Sequence, residues 1–361
     1  MNTMNRAVVA ALVCGLILTA GSAAQKKKKE ITQTLQLPKD LPTTVIGETR
    51  RLTFHVTPLS AKGLLSAQVR DALRALTRDT GNNTVLRIRA FVAGSGDLRR
   101  VRDLVSDTFT DRRLPLPTLS LVQAGGLPLE GAQVVLEAIA AGRKDVNPQG
   151  LVFIPAAIAS TDNPLDPVAP LAAKSLEDLK TTLRAAGSDA AGVVRVTCFL
   201  SSLDSLATTR KLVDADYPRA ALNFVQTQRN PGRALGACEA VARLTSEAGK
   251  GLGFVPAEGE PKAVLIASPR MVLTGTQVSY GYQEADSRLA FERLQKSLEA
   301  AGVARSEAAF VQYYPVAEQM AEQVRKLAPG FFGKAASSIL LFQGLPSMQA
   351  GFAVDVVAAK E

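Results

Sequence analysis

The chain has no tryptophan and a single histidine among 361 residues, and aromatic residues make up only 5% of it. Its cores must therefore be built from alanine, valine, leucine and isoleucine. One histidine, His55, and three scattered cysteines exclude a His- or Cys-ligated metal centre, and no metal or other cofactor is expected. Ser-His-Asp catalysis would rest on His55 alone. A Walker-type loop and a GxSxG elbow are both missing. So is the basic stretch with interleaved aromatics that single-stranded nucleic acid requires, and no nucleic-acid partner is expected.

What is present is apolar and globular. Hydrophobic residues make up 47% of the chain, enough for two or three domains with real cores. At the N-terminus Arg6 precedes the apolar run AVVAALVCGLILTA (7–20), followed by GSAAQ with small residues at Ser22 and Ala24. This predicts a signal peptide over 1–24, export to the periplasm or beyond, and no stable membrane span after cleavage. The next segment, a basic tail over 25–43, holds Lys26 to Lys29, which supply four charges of a net +9. Much of the basicity is thus a solvated leader and not a patch on the folded body. Of the cysteines left after cleavage, Cys198 and Cys238 sit in apolar, strand-like runs. A disulfide would need those strands to be neighbours; buried free thiols are the expectation.

The chain repeats. VLRIRAFV (85–92) matches VVRVTCFL (193–200) at an offset of 108, with Val85, Arg87 and Phe91 recurring as Val193, Arg195 and Phe199. The same offset carries LRRVRDLV (98–105) onto LATTRKLV (206–213), so that Arg102 recurs as Arg210. Three helices share a spine with spacings of three and four: Val69, Ala72 and Leu76; Leu176, Leu179 and Leu183; Phe291, Leu294 and Leu298. Gly81, Gly187 and Gly302 follow them, as helix stops and as markers of the repeat. QVVLEAIAA (133–141), GACEAVARL (236–244) and FAVDVVAAK (352–360) each place an acid inside an apolar strand: Glu137, Glu239 and Asp355.

These marks define three tandem units over 44–142, 149–247 and 261–361. Each reads strand, strand, long helix, strand, short helix, strand, strand, with the first strand poorly defined in the first two units. The last unit opens with AVLIAS (263–268) and MVLTGTQVS (271–279). The fold class is α+β, one sheet per unit with both helices on one face. The bare faces could cover one another in a closed threefold arrangement; a linear array is the competing layout. Arg87 and Arg195 read as a solvent-face stripe more readily than as an anion site.

SLEDLKTTLRAAGSDAAGVVRVTCFLSSLD (175–204) resembles the helix-to-strand signature of the reactive-intermediate deaminase family, Rid, also called YjgF. LTGTQVS (273–279) stands where that family has a VSGQ-type strand. The resemblance spans about 45–360. It implies a chorismate-mutase-like fold, here as an intramolecular pseudo-trimer that stays a monomer, with clefts between units. It also implies hydrolysis of enamine or imine intermediates to ketoacids and ammonia. By resemblance, Glu137, Glu239 and Asp355 match the family's water-positioning acid, and Gly275, Thr276 and Gln277 match a substrate-binding strand.

The family's carboxylate-binding arginine does not align. Leu119, Ala220 and Ser337 stand in its place, with Arg219 one residue off. A one-residue slip turns a strand side chain to the other face unless a bulge restores it. The expectation is therefore a divergent small-molecule-binding or scaffold protein. The alternative is an imine or enamine deaminase using Glu239 and Arg219 in a cleft of the middle unit.

Overall fold

A computed structural model of the protein describes residues 37–94, 96–246, 249 and 251–361. The expected signal peptide and the lysine run lie outside the described residues.

The chain begins with β1 (Thr44–Glu48), β2 (Leu52–Val56), α1 (Leu65–Thr80), β3 (Thr84–Ala93), α2 (Leu98–Asp111), β4 (Thr118–Ala124) and β5 (Val134–Ala141). It continues with β6 (Leu151–Thr161), α3 (Val168–Ala185), β7 (Val193–Leu200), α4 (Leu206–Asp216), β8 (Ala221–Gln226) and β9 (Ala234–Arg243). Two short strands follow, β10 (Leu252–Val255) and β11 (Ala263–Ile266). The last stretch holds β12 (Arg270–Thr274), β13 (Gln277–Tyr280), α5 (Glu284–Ala300), β14 (Ala308–Pro315), α6 (Glu318–Phe332), β15 (Ala336–Ile339) and β16 (Ala350–Lys360).

The periodicities account for the helices. All nine spine residues of α1, α3 and α5 are buried. Gly81, Gly187 and Gly302 sit just beyond them at φ of 57°, 69° and 71°, a region that costs glycine little and other residues much. Asp97 caps α2 by accepting from the backbone N–H of Arg99 and Arg100.

The strands form three sheets. The first runs β2-β5-β3-β4, the second β10-β11-β6-β9-β7-β8, and the third β1-β12-β16-β14-β15 with β13 also on β16. Each sheet carries two helices on one face, packed into a core of its own. Two further cores join the opposite faces, and each draws residues from all three sheets. Phe54 and Phe310 both pack on Phe153, with ring centroids 6.3 and 5.7 Å away. Phe91, Phe199 and Phe342 form a second triad with centroids about 6 Å apart.

Three expectations about the strands are corrected. AVLIAS does not open the third sheet: β11 pairs with β6 of the second. Likewise β1 leaves β2 and pairs with β12 of the third sheet. The reason lies in the connections. β11 reaches β12 through Ala267, Ser268 and Pro269 alone, without the Asn-Gly or Gly type of residue that a tight reversal favours. The chain turns a corner and continues into the neighbouring sheet. MVLTGTQVS is two strands, broken at Gly275 and Thr276. A Cβ on Gly275 would stand 2.8 Å from the Leu119 carbonyl oxygen, so only glycine lets β12 approach β4 this closely.

The expectation of free thiols is also overturned. β7 and β9 are antiparallel neighbours, and their register sets Cys198 opposite Cys238. The two form a disulfide with Cα atoms 4.1 Å apart. The non-reduced protein will therefore resist alkylation at both positions after unfolding, and replacing both by alanine will lower stability by on the order of 3–4 kcal/mol in urea titrations. Two alkylated thiols at residues 198 and 238 in unfolded, non-reduced protein would contradict the pairing.

Candidate functional site

The inward faces of β3, β5, β7, β9, β14 and β16 each carry polar residues into the region where the sheets meet. Arg87 and Arg195, expected on a solvent face, are buried there. So are the acids Glu137, Glu239 and Asp355. The correction has a simple cause. The sheets cover one another, so the face opposite the helices is interior, and a charge on it must find a partner.

At the centre stands Arg89 of β3. Its Nε donates to Glu137 Oε2 at 2.7 Å, its Nη2 to Glu239 Oε1 at 2.5 Å, and its Nη1 to Gln312 Oε1. One guanidinium thus binds all three sheets. Glu137 Oε1 also accepts from Thr197 Oγ1 and Asn223 Nδ2, both at 2.6 Å. Glu239 accepts from Arg195 Nη2 at 3.1 Å and Gln312 Nε2 at 2.6 Å. Asp355 accepts from Ser120 Oγ at 2.6 Å and the Tyr314 hydroxyl at 3.0 Å, and Arg87 Nη2 lies 2.6 Å away. Three arginines face three carboxylates, so the formal charges cancel.

Burial alone would raise the Glu137 carboxyl. The charges of Arg89 and Arg195 and the hydrogen bonds from Asn223 and Thr197 outweigh it and hold the group at about 2. Desolvation by burial opposes the charge of Arg89, yet the nearby carboxylates raise its pKa well above the ordinary arginine value. Among the described residues Arg195 Nε is buried without a partner, and the void beside the cluster measures only about 10 Å³. That is room for about one water and for no organic ligand.

Space for a ligand lies outside this centre, in clefts between sheets. One, of about 790 Å³, is walled by Val56 and Thr57 at the end of β2, Asp79 of α1, Asn223 and Phe224 of β8, and Arg210 of α4. Asn223 forms part of its lining and also bonds Glu137, so this cleft reaches the edge of the charge cluster. A second cleft of about 370 Å³ lies between β4 and the corner of β12 and β13. Gly275, Thr276 and Gln277, expected to bind substrate, line it. Backbone bonds fix two of them: Gly275 N–H donates to Thr43 O at 3.0 Å and Thr276 N–H to Leu119 O at 3.2 Å. A third, of about 80 Å³, separates β6 and β15.

Arg219 joins none of these groups. It lies exposed in the turn before β8 and donates to Ala191 O at 3.2 Å. The β7–β8 register runs without a bulge that could redirect it. The structure thus gathers Glu137, Glu239 and Asp355 in one cluster, places Gly275, Thr276 and Gln277 in a cleft elsewhere, and leaves Arg219 outside both. Sequence reasoning missed Arg89 because its counterpart at offset 108 is Thr197, and comparison of repeats hides a residue unique to one copy. It also passed over the Arg102 and Arg210 pair as cleft residues, although their recurrence was visible.

No protein-family model matches the chain, and no curated protein matches it. Solved structures are similar to parts of it. A member of the YjgF/YER057c/UK114 family from Mycobacterium tuberculosis is 19% identical over 30% of this chain and 99% of its own, with a TM-score of 0.24. A protein of the conserved Rid family from Yersinia pestis is 19% identical over 27% of this chain and 84% of its own, at 0.25. The YjgF gene product of E. coli is 16% identical over 25% and 81%, at 0.24. Likeness of this degree is local and says nothing of activity.

The pH dependence of stability follows from Glu137. Its folded pKa lies below the ordinary 4.5, so its contribution is complete above about pH 4.5 and is lost as pH falls towards 2. The loss is about 3 kcal/mol. Urea midpoints measured across that window will fall for the wild type, and Glu137→Gln will be weaker at pH 7 with a flatter acid limb. An unchanged acid limb would contradict the assignment.

Proposed function

We propose that the chain is an exported, noncatalytic small-molecule-binding or scaffold protein. In this reading three tandem Rid-like units, over 44–142, 149–247 and 261–361, close on one another as an intramolecular pseudo-trimer and need no further copies. The N-terminal pattern supports export. So does the Cys198–Cys238 disulfide, which suits an oxidising compartment.

One observation carries the noncatalytic reading: Glu137, Glu239 and Asp355 are each committed to a buried arginine and to at least one neutral donor. A carboxylate held this way is a poor base and positions no water. By strand register the counterpart of Leu119 and Ser337 in the second sheet is Leu222 and not the expected Ala220; none of these positions offers a cation, and Arg219 is exposed. Losing charge-assisted bonds to a substrate carboxylate, at roughly 1.5–3 kcal/mol each, removes on the order of 10²-fold or more in transition-state binding.

The second reading, hydrolysis of 2-imino or enamine acids, draws on Asn223, which ties the cleft between β2 and β8 to Glu137. Ammonia release from freshly generated 2-iminoacids separates the two. Wild type, Arg219→Ala and Glu239→Gln should all match the uncatalysed rate. Turnover by the wild type, above all turnover lost in the surface variant Arg219→Ala, would favour the deaminase.

A further inference from the structure

We infer that the middle unit holds a pocket of its own for a small zwitterion whose two charges lie apart on an apolar body. Arg229 and Arg233 receive its anionic end, and Asp166 and Asp204 its ammonium. The inference deepens the binding reading above and rests on it, at a pocket formed within one unit and not between sheets.

The pocket, of about 440 Å³, is framed by three segments of the second unit: the loop from β6 into α3, the loop from β7 into α4, and the hairpin from β8 to β9. In the other two units the first and third of these segments are tied together. Gln68 Nε2 donates to Gly63 O at 3.1 Å and to Gly131 O at 3.0 Å, which joins the loop before α1 to the loop before β5. In the third unit Gly281 N–H donates to Gln349 O at 2.8 Å, which joins the loop before α5 to the loop before β16. Among the described residues no hydrogen bond joins the corresponding pair in the middle unit. Each loop there turns on itself instead. Asn163 Nδ2 donates to Asp166 Oδ1 at 2.8 Å, and Arg233 N–H donates to Asn230 O at 3.4 Å. Pro164, Pro167 and Pro231 stiffen these turns, so the space between them is preformed.

Its charges decide the ligand. Asp166, Asp204, Arg229 and Arg233 all line the pocket, and among the described residues none of the four makes an ion pair. The acids come from the loops entering α3 and α4, and the arginines from the hairpin. Asp166 and Asp204 accept only from neutral groups, Asn163 Nδ2 at 2.8 Å and Ser202 Oγ at 2.6 Å. Neither acid caps its helix. Paired charges would cancel; unpaired charges of both signs leave two poles. A ligand with one charge is attracted at one pole and repelled at the other, whereas a zwitterion answers both. The acids do not reach the arginines, so the ligand's own charges must be spaced, unlike those of an α-amino acid. The guanidinium forks suit a carboxylate. Leu165 and Val168 give the body between the charges an apolar wall.

The test titrates matched probes into the full chain by methyl NMR: 6-aminohexanoate, its isomer norleucine, hexanoate and hexylamine. 6-Aminohexanoate should saturate one site per chain and shift the methyl signals of Leu165 and Val168. Each of the other probes should bind about 3- to 30-fold more weakly, the span of two partly exposed charge contacts. Arg229→Gln with Arg233→Gln should bring 6-aminohexanoate to the level of hexylamine, and Asp166→Asn with Asp204→Asn to the level of hexanoate. No saturable binding, shifts confined to other parts of the chain, equal affinity across the probes, or indifference to either double variant would overturn the pocket. Norleucine binding as tightly as its isomer would overturn the spacing of the charges. The probes carry no imine or enamine, so failure here is distinguishable from failure of the noncatalytic reading in the ammonia assay.

Discussion

Arg89 reaches a carboxylate of its own sheet, a carboxylate of the second sheet and an amide of the third from one guanidinium. Everything else in the interior is arranged around that requirement. A buried arginine is tolerable only if its donors are met and its charge is balanced. Glu137 and Glu239 balance it, then need Arg195, Thr197, Asn223 and Gln312 to complete their own shells. Asp355 repeats the pattern with Arg87, Ser120 and Tyr314. Aromatic residues close the layer: Arg89 lies 5.1 Å from the Phe91 ring centroid and 5.8 Å from that of Phe199, while Arg195 stands over Phe54. Breaking such a network by removing one partner typically costs 3–5 kcal/mol, because the other charge stays buried.

Helices, strand order along the chain and glycine stops were legible because they depend on local spacing. The spine residues of α1, α3 and α5 are buried as their periodicity requires. Strand partners were less legible: β1 and β11 left their expected sheets, since a short linker without turn residues decides between hairpin and corner. The polarity of Arg87 and Arg195 suggested solvent, and only the mutual covering of the sheets makes their side interior. Arg89 was hidden for a different reason. It occurs in one copy, and a single central arginine serves three sheets.

The clefts beside β4 and β8 each carry the recurring arginine, Arg102 or Arg210, but differ in the rest of their lining. One is walled in part by Leu41, Pro42 and Thr43 from the segment before β1, and the other is lined by Arg210 over Phe224 with Asn223 beside it. Repetition here preserves the central acids Glu137, Glu239 and Asp355 and lets the clefts diverge. That is the expected direction: the centre must be satisfied in every copy for the sheets to stay together, whereas a cleft can change without cost to the interior.

The Arg89 network couples all three sheets into one stability unit. Hydrogen exchange followed by mass spectrometry tests it most directly, comparing wild type with Arg89→Met under native conditions. Exchange will be faster in β3, β9 and β14 together, because each sheet loses a partner of the same guanidinium. Acceleration confined to β3 and its neighbours in the first sheet would contradict it.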